Sequence, residues 1–140
     1  MFKPSRDEVR EMFFGAWRKY RDGVPLAGIE SLALEVILQH PEYHGVLDSP
    51  ERYRDRDYTE EANPFLHMSL HLALAEQLSI DQPPGIRARW QALLARSAGP
   101  HEARHHAIEC LAEMMWRSQR DATAPDAAAY LSCVERRGRT

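Results

Sequence analysis

Apolar side chains recur every three or four residues along most of the chain, and proline and glycine separate the stretches that show this spacing. One such stretch covers residues 9–20, and a second covers residues 29–40. Pro41 ends the second stretch, because proline disfavours the helical conformation in the residue before it. Spacings of three and four place side chains on one face of an α-helix. The pattern therefore predicts two helices in this part of the chain.

A third helix is predicted to begin at Asn63. Residues 45–62, which precede it, are charged and poor in aliphatic side chains, so we expect a solvated connection with room for a short turn of helix. Asn63 is a favourable N-cap, and Pro64 suits the first helical position, where no backbone N–H is needed. Two prolines and a glycine within residues 79–85 cannot continue a helix and are expected to end it.

Three more helical segments follow, and they complete the predicted fold. They cover residues 86–96, residues 101–120, and a short stretch that starts near Asp126; residues 135–140 are expected to be a frayed basic tail. No segment alternates apolar and polar residues over the length of a strand, and β-branched residues are scarce. The prediction is an all-α, single-domain, antiparallel helical bundle of five or six helices, because short loops favour antiparallel neighbours.

The composition is that of an ordinary globular protein with no electrostatic preference for nucleic acid. Of the 140 residues, 44% are hydrophobic and 28% are charged, and the net charge is -3. The longest apolar run is far below the roughly 20 residues that cross a bilayer, and the first residues contain no apolar signal segment. We therefore expect a cytoplasmic protein with neither nucleic acid nor membrane as a partner. A protein partner or a homo-oligomer is left open.

The two cysteines, Cys110 and Cys133, are too few for a disulfide scaffold and too far apart for a thiolate zinc site. Cys110 lies four residues after His106, which is a conceivable arrangement for a nucleophile and its base. A cysteine inside an apolar helix is more often an inert buried thiol. The prediction is a reduced cysteine with a structural role.

Histidines supply the most informative pattern in the sequence. Residues four apart on a helix have Cβ atoms roughly 5–6 Å apart on one face, a separation at which two imidazoles can bind one ion. Seven histidines scattered at random would rarely form several pairs with this spacing. The chain contains three of them, His40/His44, His67/His71 and His101/His105.

The apolar face of each predicted helix also carries these histidines. His67 and His71 share a stripe with Leu74 and Leu78, and His40 extends the stripe of the second helix. His101 and His105 share a stripe with Ile108 and Met115 in the same way, whereas His106 points away from it. Such an arrangement would place imidazoles from three helices around one interior point. Pro41 interrupts the helical geometry between His40 and His44, which weakens the case for His44.

The predicted site is a transition-metal centre formed by His67, His71, His101 and His105, with His40, His44 and Glu109 as further candidate ligands. Nitrogen donors with one carboxylate suit iron, zinc, manganese or nickel and disfavour calcium or magnesium. An open coordination position would allow hydrolytic or redox chemistry, whereas a closed site would be structural. The sequence leaves the reaction, if there is one, undecided.

Two other interpretations of the same histidines stay open. They could form a buried hydrogen-bond network with no ion, in a non-enzymatic protein whose helix faces bind a partner. They could also make the core sensitive to acid, because several neutral imidazoles would have to be buried.

Three sequence motifs resemble the DUF1841 family of small bacterial proteins. The motifs are HPEYH, NPFLHMSLHLALAEQLSIDQPPGI and HEARHHAIECLAEMMWRSQR, and the resemblance extends from SRDEVREMFFGAWRKY to AAYL near the end of the chain. The resemblance implies a bacterial origin and a single domain, but no reaction, because the family is one of unknown function. The family pattern includes the histidines at positions 40, 44, 67, 71, 101 and 105 but not His106, in agreement with the helical faces.

Overall fold

The computed structural model describes residues 6–139, apart from the side chain of Glu60, and every regular element in them is helical. Two 3-10 helices, Pro41–Tyr43 and Glu60–Ala62, accompany eight α-helices. The α-helices are α1 (Arg6–Arg21), α2 (Ile29–Leu38), α3 (His44–Leu47), α4 (Pro50–Tyr53), α5 (Pro64–Ile80), α6 (Ile86–Arg96), α7 (Pro100–Asp121) and α8 (Ala127–Arg137).

The all-α prediction is confirmed, but the predicted number of helices was too low. All six long helices lie where the hydrophobic spacing placed them. The two additional helices, α3 and α4, have four residues each and lie in the predicted connection. A short turn of helix was expected there, but a four-residue helix is too short to show a periodic pattern, so the sequence did not give the number or the bounds of these two.

The chain divides into two compact units, Met1–Leu72 and Ala73–Thr140. The antiparallel arrangement of one domain over residues 1–140 stays a prediction. In the described part of the chain, no helix is both long enough and apolar enough to cross a membrane.

The first unit has a core that α1, α2, α3 and the start of α5 build together. Helix α1 packs against α2 and α3, and an ion pair between Lys19 Nζ and Glu30 Oε2 at 2.7 Å joins the end of α1 to the beginning of α2. The core residues are Phe13, Phe14, Ala16, Trp17, Ala33, Val36, Ile37, Leu47, Phe65, Met68 and Leu72.

Asn63 caps α5, as its sequence position predicted. The Asn63 Oδ1 atom accepts hydrogen bonds from the backbone N–H groups of Phe65 at 3.0 Å and Leu66 at 3.1 Å. These are two of the backbone donors that have no partner inside the helix. The cap holds the first turn of α5 in place, and the next turn of this helix begins with His67.

The connection between α4 and α5 is fastened to α1 by a buried arginine. Arg10 is only 2% exposed, and its Nη1 atom donates to the carbonyl oxygens of Arg54 at 3.0 Å and Arg56 at 2.7 Å. Its guanidinium also lies over the Phe65 ring, 4.8 Å from the centroid. Burial is the main reason that the pKa of Arg10 is lowered from its usual value.

The second unit contains α6, α7 and α8, which pack against one another, and the end of α5. The Asp126 side chain accepts a hydrogen bond from the Ala129 N–H at 3.0 Å, so the predicted start of α8 is correct. Helix α8 continues to Arg137, and part of the predicted tail is therefore helical; Thr140 lies outside the described residues. Buried apolar residues of this unit are Leu74, Ile86, Trp90, Leu93, Ala103, Ala107, Ile108, Leu111, Tyr130 and Val134.

A disulfide bond joins Cys110 of α7 to Cys133 of α8, with their Cα atoms 5.8 Å apart. The prediction of a reduced, inert Cys110 was therefore wrong, and a disulfide-bonded sulfur cannot serve as a free nucleophile beside His106. The two cysteines are 23 positions apart in the sequence. The sulfurs meet because α7 packs against α8. The sequence separation alone does not reveal this packing.

Candidate metal centre

His40 lies in a bend and not, as the hydrophobic spacing predicted, on the stripe of α2. Helix α2 ends at Leu38, and His40 adopts the non-helical angles φ -129° and ψ 65° before Pro41. This conformation is the one that a following proline favours. The side chain is nevertheless only 2% exposed, so the bend turns the His40 ring into the interior of the first unit.

A backbone carbonyl fixes the orientation of the His40 ring. The Nδ1 atom lies 2.7 Å from the carbonyl oxygen of Val36. A carbonyl only accepts, so Nδ1 carries the proton and donates. In the neutral ring the Nε2 atom then has a free lone pair. This pairing leaves Nε2 as the atom with which His40 can bind an ion or accept a hydrogen bond.

His67 and His71 lie one turn apart on α5 and bring their Nε2 atoms together. These two atoms are 3.1 Å apart, and the ring centroids are separated by 4.7 Å. His71 is only 3% exposed, and His67 is half-buried. The sequence spacing of this pair predicted that both rings face the same side of the helix, and the structure shows that they do.

The third ring, that of His40, completes a cluster with this pair. The Nε2 atom of His40 lies 3.2 Å from the Nε2 atom of His71, and the ring centroids are 4.4 Å apart. One nitrogen from each of the three histidines lies within 4.8 Å of one nitrogen of each of the others. We call His40, His67 and His71 the histidine cluster. All three belong to the first unit.

The two short contacts of His71 Nε2, with His40 and with His67, cannot both be well-directed hydrogen bonds between neutral rings. A nitrogen of a neutral imidazole either donates through its proton or accepts through its lone pair. If His71 Nε2 is protonated, it can point that proton directly at only one of its two neighbours. If His71 Nε2 is unprotonated, its lone pair faces the lone pair of His40 at 3.2 Å. A cation between the rings, by contrast, would attract all three lone pairs at once.

Tyr43 borders the histidine cluster. Its ring stacks on His40 with the centroids 5.5 Å apart and meets the His67 ring edge-on at 6.2 Å. Burial raises the pKa of the Tyr43 hydroxyl, and the charge of Glu42 adds to the effect. The hydroxyl is therefore neutral at physiological pH and places no negative charge next to the cluster.

His44, the predicted partner of His40, is directed elsewhere. Its Nε2 atom donates to the carbonyl oxygen of Ile37 at 2.8 Å, and its ring stacks on Trp17 with the centroids 4.3 Å apart. Because Pro41 breaks the helix, the four-residue spacing does not place His40 and His44 on a common face. The structure thus brings together one member of the first histidine pair and both members of the second.

The remaining candidates, His101, His105 and Glu109, lie on α7 in the second unit. The rings of His101 and His105 have their centroids 4.4 Å apart, as expected for residues one turn apart, and His101 is exposed. Glu109 Oε2 accepts a hydrogen bond from Arg137 Nη1 at 2.6 Å, so the carboxylate that was predicted as a ligand is already paired with an arginine. The participation of these three residues in a metal site stays a prediction.

His106, which the helical faces excluded, interacts with charged neighbours on the second unit. Arg137 Nη1 lies 3.0 Å from its Nδ1 atom, and a carboxylate oxygen of Glu102 lies 3.4 Å from its Nε2 atom. These contacts suit a surface histidine and agree with its exclusion from the predicted ligands.

The sequence matches one protein family over residues 5–136, and that family is described as a domain of unknown function, DUF1841. The match covers nearly the whole chain and confirms the resemblance seen in the histidine-containing motifs. No curated protein and no solved structure matches the chain.

Proposed function

The chain belongs to the DUF1841 family, and we propose that it binds a transition-metal ion through the imidazoles of His40, His67 and His71. The family description names no activity, so the proposal is based on the geometry of the first unit.

The observation that carries the proposal is the spacing of the three Nε2 atoms. A zinc ion binds imidazole nitrogen at 2.0–2.1 Å, so two nitrogens in adjacent positions on the same ion are separated by roughly 2.8–3.4 Å, with octahedral geometry at the lower end and tetrahedral geometry at the upper end. The two separations in the cluster are 3.2 Å for His40 and His71 and 3.1 Å for His71 and His67. Both separations are in the range expected for ligands that share one ion, and one nitrogen of His40 also lies within 4.8 Å of one nitrogen of His67.

The hydrogen bond of His40 to the Val36 carbonyl supports the same conclusion. Histidines that bind metals usually donate their second ring N–H to a carbonyl or carboxylate, which fixes the tautomer and aims the lone pair at the ion. His40 makes this contact through Nδ1 at 2.7 Å and leaves Nε2 for the ion. The backbone thus prepares His40 for ligation before any metal arrives.

The donor set narrows the choice of metal. Three imidazoles without a carboxylate suit zinc, iron or nickel, whereas manganese prefers oxygen ligands. Of the metals predicted from the sequence, zinc, iron and nickel fit the cluster best. Calcium and magnesium fit it poorly, because both take oxygen ligands almost exclusively.

The alternative function is a non-enzymatic interaction protein whose cluster is a hydrogen-bond network without an ion. It uses the same nitrogen contacts, so metal content is what distinguishes it from the proposal. We expect protein purified without an affinity tag to contain close to one equivalent of a transition metal. The His71→Ala and His40→Ala variants should lose this metal.

His106→Ala is the matched control, because it removes an imidazole that contacts Glu102 and Arg137 on the second unit. It should retain the metal. Circular dichroism of each variant verifies that the helices are intact. Less than a tenth of an equivalent of any transition metal in the wild-type protein, together with a melting temperature unaffected by EDTA, would contradict the proposal and favour the hydrogen-bond network.

A further inference from the structure

The second unit contains a pocket of about 500 Å³ that plays no part in the proposed metal site. Its walls come from the C-terminal half of α7, the turn that follows, and α8. Both members of the disulfide bond, Cys110 and Cys133, line this pocket. Cys133 is 8% exposed and Cys110 is 2% exposed. A small molecule in the pocket would therefore lie against a disulfide bond, of which Cys133 is the more exposed member.

Three arginines and three carboxylates line the pocket; within residues 6–139 two of the arginines form an ion pair with a carboxylate and the third does not. Arg117 pairs with Glu113 at 2.7 Å, and Arg120 pairs with Asp121 at 2.9 Å. The guanidinium of Arg136 also lines the pocket, but within residues 6–139 it forms neither a hydrogen bond nor an ion pair. Arg136 can therefore attract an anion without giving up an existing partner.

Other polar groups of the lining have structural roles. Asp126 is the N-cap of α8 and accepts the Ala129 N–H at 3.0 Å. Arg120 also lies over the ring of Trp116, 4.6 Å from its centroid, and Trp116 is 54% exposed. The lining thus combines the Trp116 ring, paired charges and Arg136, which lies one turn after Cys133 on the same helix.

We propose that this pocket receives a small anionic thiol, which exchanges with the Cys110–Cys133 disulfide. The proposal is independent of the metal site, because every residue that it uses belongs to the second unit. Arg136 attracts the negative group of the small molecule. This attraction holds the reactive sulfur of the molecule near Cys133.

The exchange proceeds in two steps that balance. The thiolate of the small molecule attacks Sγ of Cys133; a mixed disulfide forms there, the Cys110–Cys133 bond breaks, and the Cys110 thiolate takes a proton from water. A second small thiolate then attacks the mixed disulfide, and the Cys133 thiolate leaves and is protonated. Two small thiols are thereby oxidised to one disulfide, and the protein disulfide is reduced to two thiols.

The experiment compares two small thiols, 2-mercaptoethanesulfonate, which is anionic, and 2-mercaptoethanol, which is neutral. The rate at which each opens the disulfide of the full chain is measured by alkylation and mass spectrometry. We expect Arg136→Gln to slow the anionic thiol about three- to fivefold, the effect of one unit charge a few ångströms away in water. The rate with the neutral thiol should not change.

The matched control is Arg139→Gln, which removes an arginine near the same end of α8 that does not line the pocket. It should leave both rates unchanged. Comparison of each variant with the wild type for a single thiol removes the effect of that thiol's own acidity. Equal slowing of both thiols by Arg136→Gln, or no slowing, would overturn the role of Arg136.

A second measurement tests the pocket separately from the charge. Cys110→Ser protein treated with the symmetric disulfide of 2-mercaptoethanesulfonate should form an adduct on Cys133, and it should do so faster than Cys133→Ser protein forms one on Cys110. The opposite order would contradict the proposed attack at Cys133. If both cysteines of the native protein were alkylated without a reductant, no disulfide would be present, and the proposed exchange would be contradicted.

Discussion

His40 and His71 face each other through their Nε2 atoms at 3.2 Å, although they are 31 positions apart in the sequence. The contact depends on two different elements, since His40 lies in the bend after α2 and His71 lies on α5. Close contact between imidazole nitrogens from separate elements is the geometry that a shared ion requires.

The two histidines of the HPEYH motif should have opposite tautomers. His40 donates through Nδ1 to the Val36 carbonyl, whereas His44 donates through Nε2 to the Ile37 carbonyl. Nitrogen-15 NMR of metal-free protein should therefore show a protonated Nδ1 in His40 and a protonated Nε2 in His44. The same tautomer in both rings would contradict the carbonyl contacts, and with them the preparation of His40 for ligation.

The cap at Asn63 should stabilise the helix that carries two of the ligands. Asn63→Ala removes the acceptor for the N–H groups of Phe65 and Leu66 and is expected to lower the free energy of unfolding by about 1 kcal/mol. Urea denaturation measures the change. Asn63→Ser retains a capping oxygen and should lose much less. Equal losses in the two variants would show that the cap is not the cause.

Loss of the disulfide should destabilise the protein and leave metal binding intact. The bond closes a loop between cysteines 23 positions apart, and its removal by Cys110→Ser is expected to cost about 3 kcal/mol of unfolding free energy. Cys133→Ser should cost the same, and the double variant little more, because all three lose one bond. Additive losses of unfolding free energy in the double variant would show that each cysteine contributes separately and not through a shared bond. Loss of metal in any of the variants would show that metal binding depends on the disulfide.

Asp81 should make the stability of the second unit depend on acid. The backbone N–H groups of Arg87 and Gly85 donate to its carboxylate and lower its pKa below the ordinary value of 3.8. A depressed folded-state pKa contributes stability that is complete above the unfolded-state value and is lost as the pH falls through the folded-state value. The stability difference between wild type and Asp81→Asn should therefore be constant near neutral pH and shrink below about pH 4. A difference independent of pH would contradict this origin.

Particular residues show how far the sequence could predict the structure. The N-cap Asn63 was predicted from local chemistry alone, since a cap depends only on its own helix, and the start of α8 near Asp126 was also predicted correctly. The His67/His71 pair was predicted equally well, because a single continuous helix determines the relative positions of both residues. Such features need no knowledge of how distant segments pack.

Features that depend on packing between segments were not predictable in this way. His40 was predicted to lie on the stripe of α2, but the bend before Pro41 determines the direction of its ring. Only the folded chain shows that direction. The Cys110–Cys133 bond depends on the packing of α7 against α8. The helical wheel describes one helix at a time, so it could not reveal either relationship.

The central claim is that His40, His67 and His71 bind one ion together. X-ray absorption spectroscopy at the zinc edge of protein reconstituted with one equivalent of zinc tests it most directly. The account predicts at least three imidazole nitrogens at about 2.0–2.1 Å, and loss of that signal in His71→Ala. A zinc shell of oxygen atoms with at most one imidazole, unchanged in His71→Ala, would contradict it.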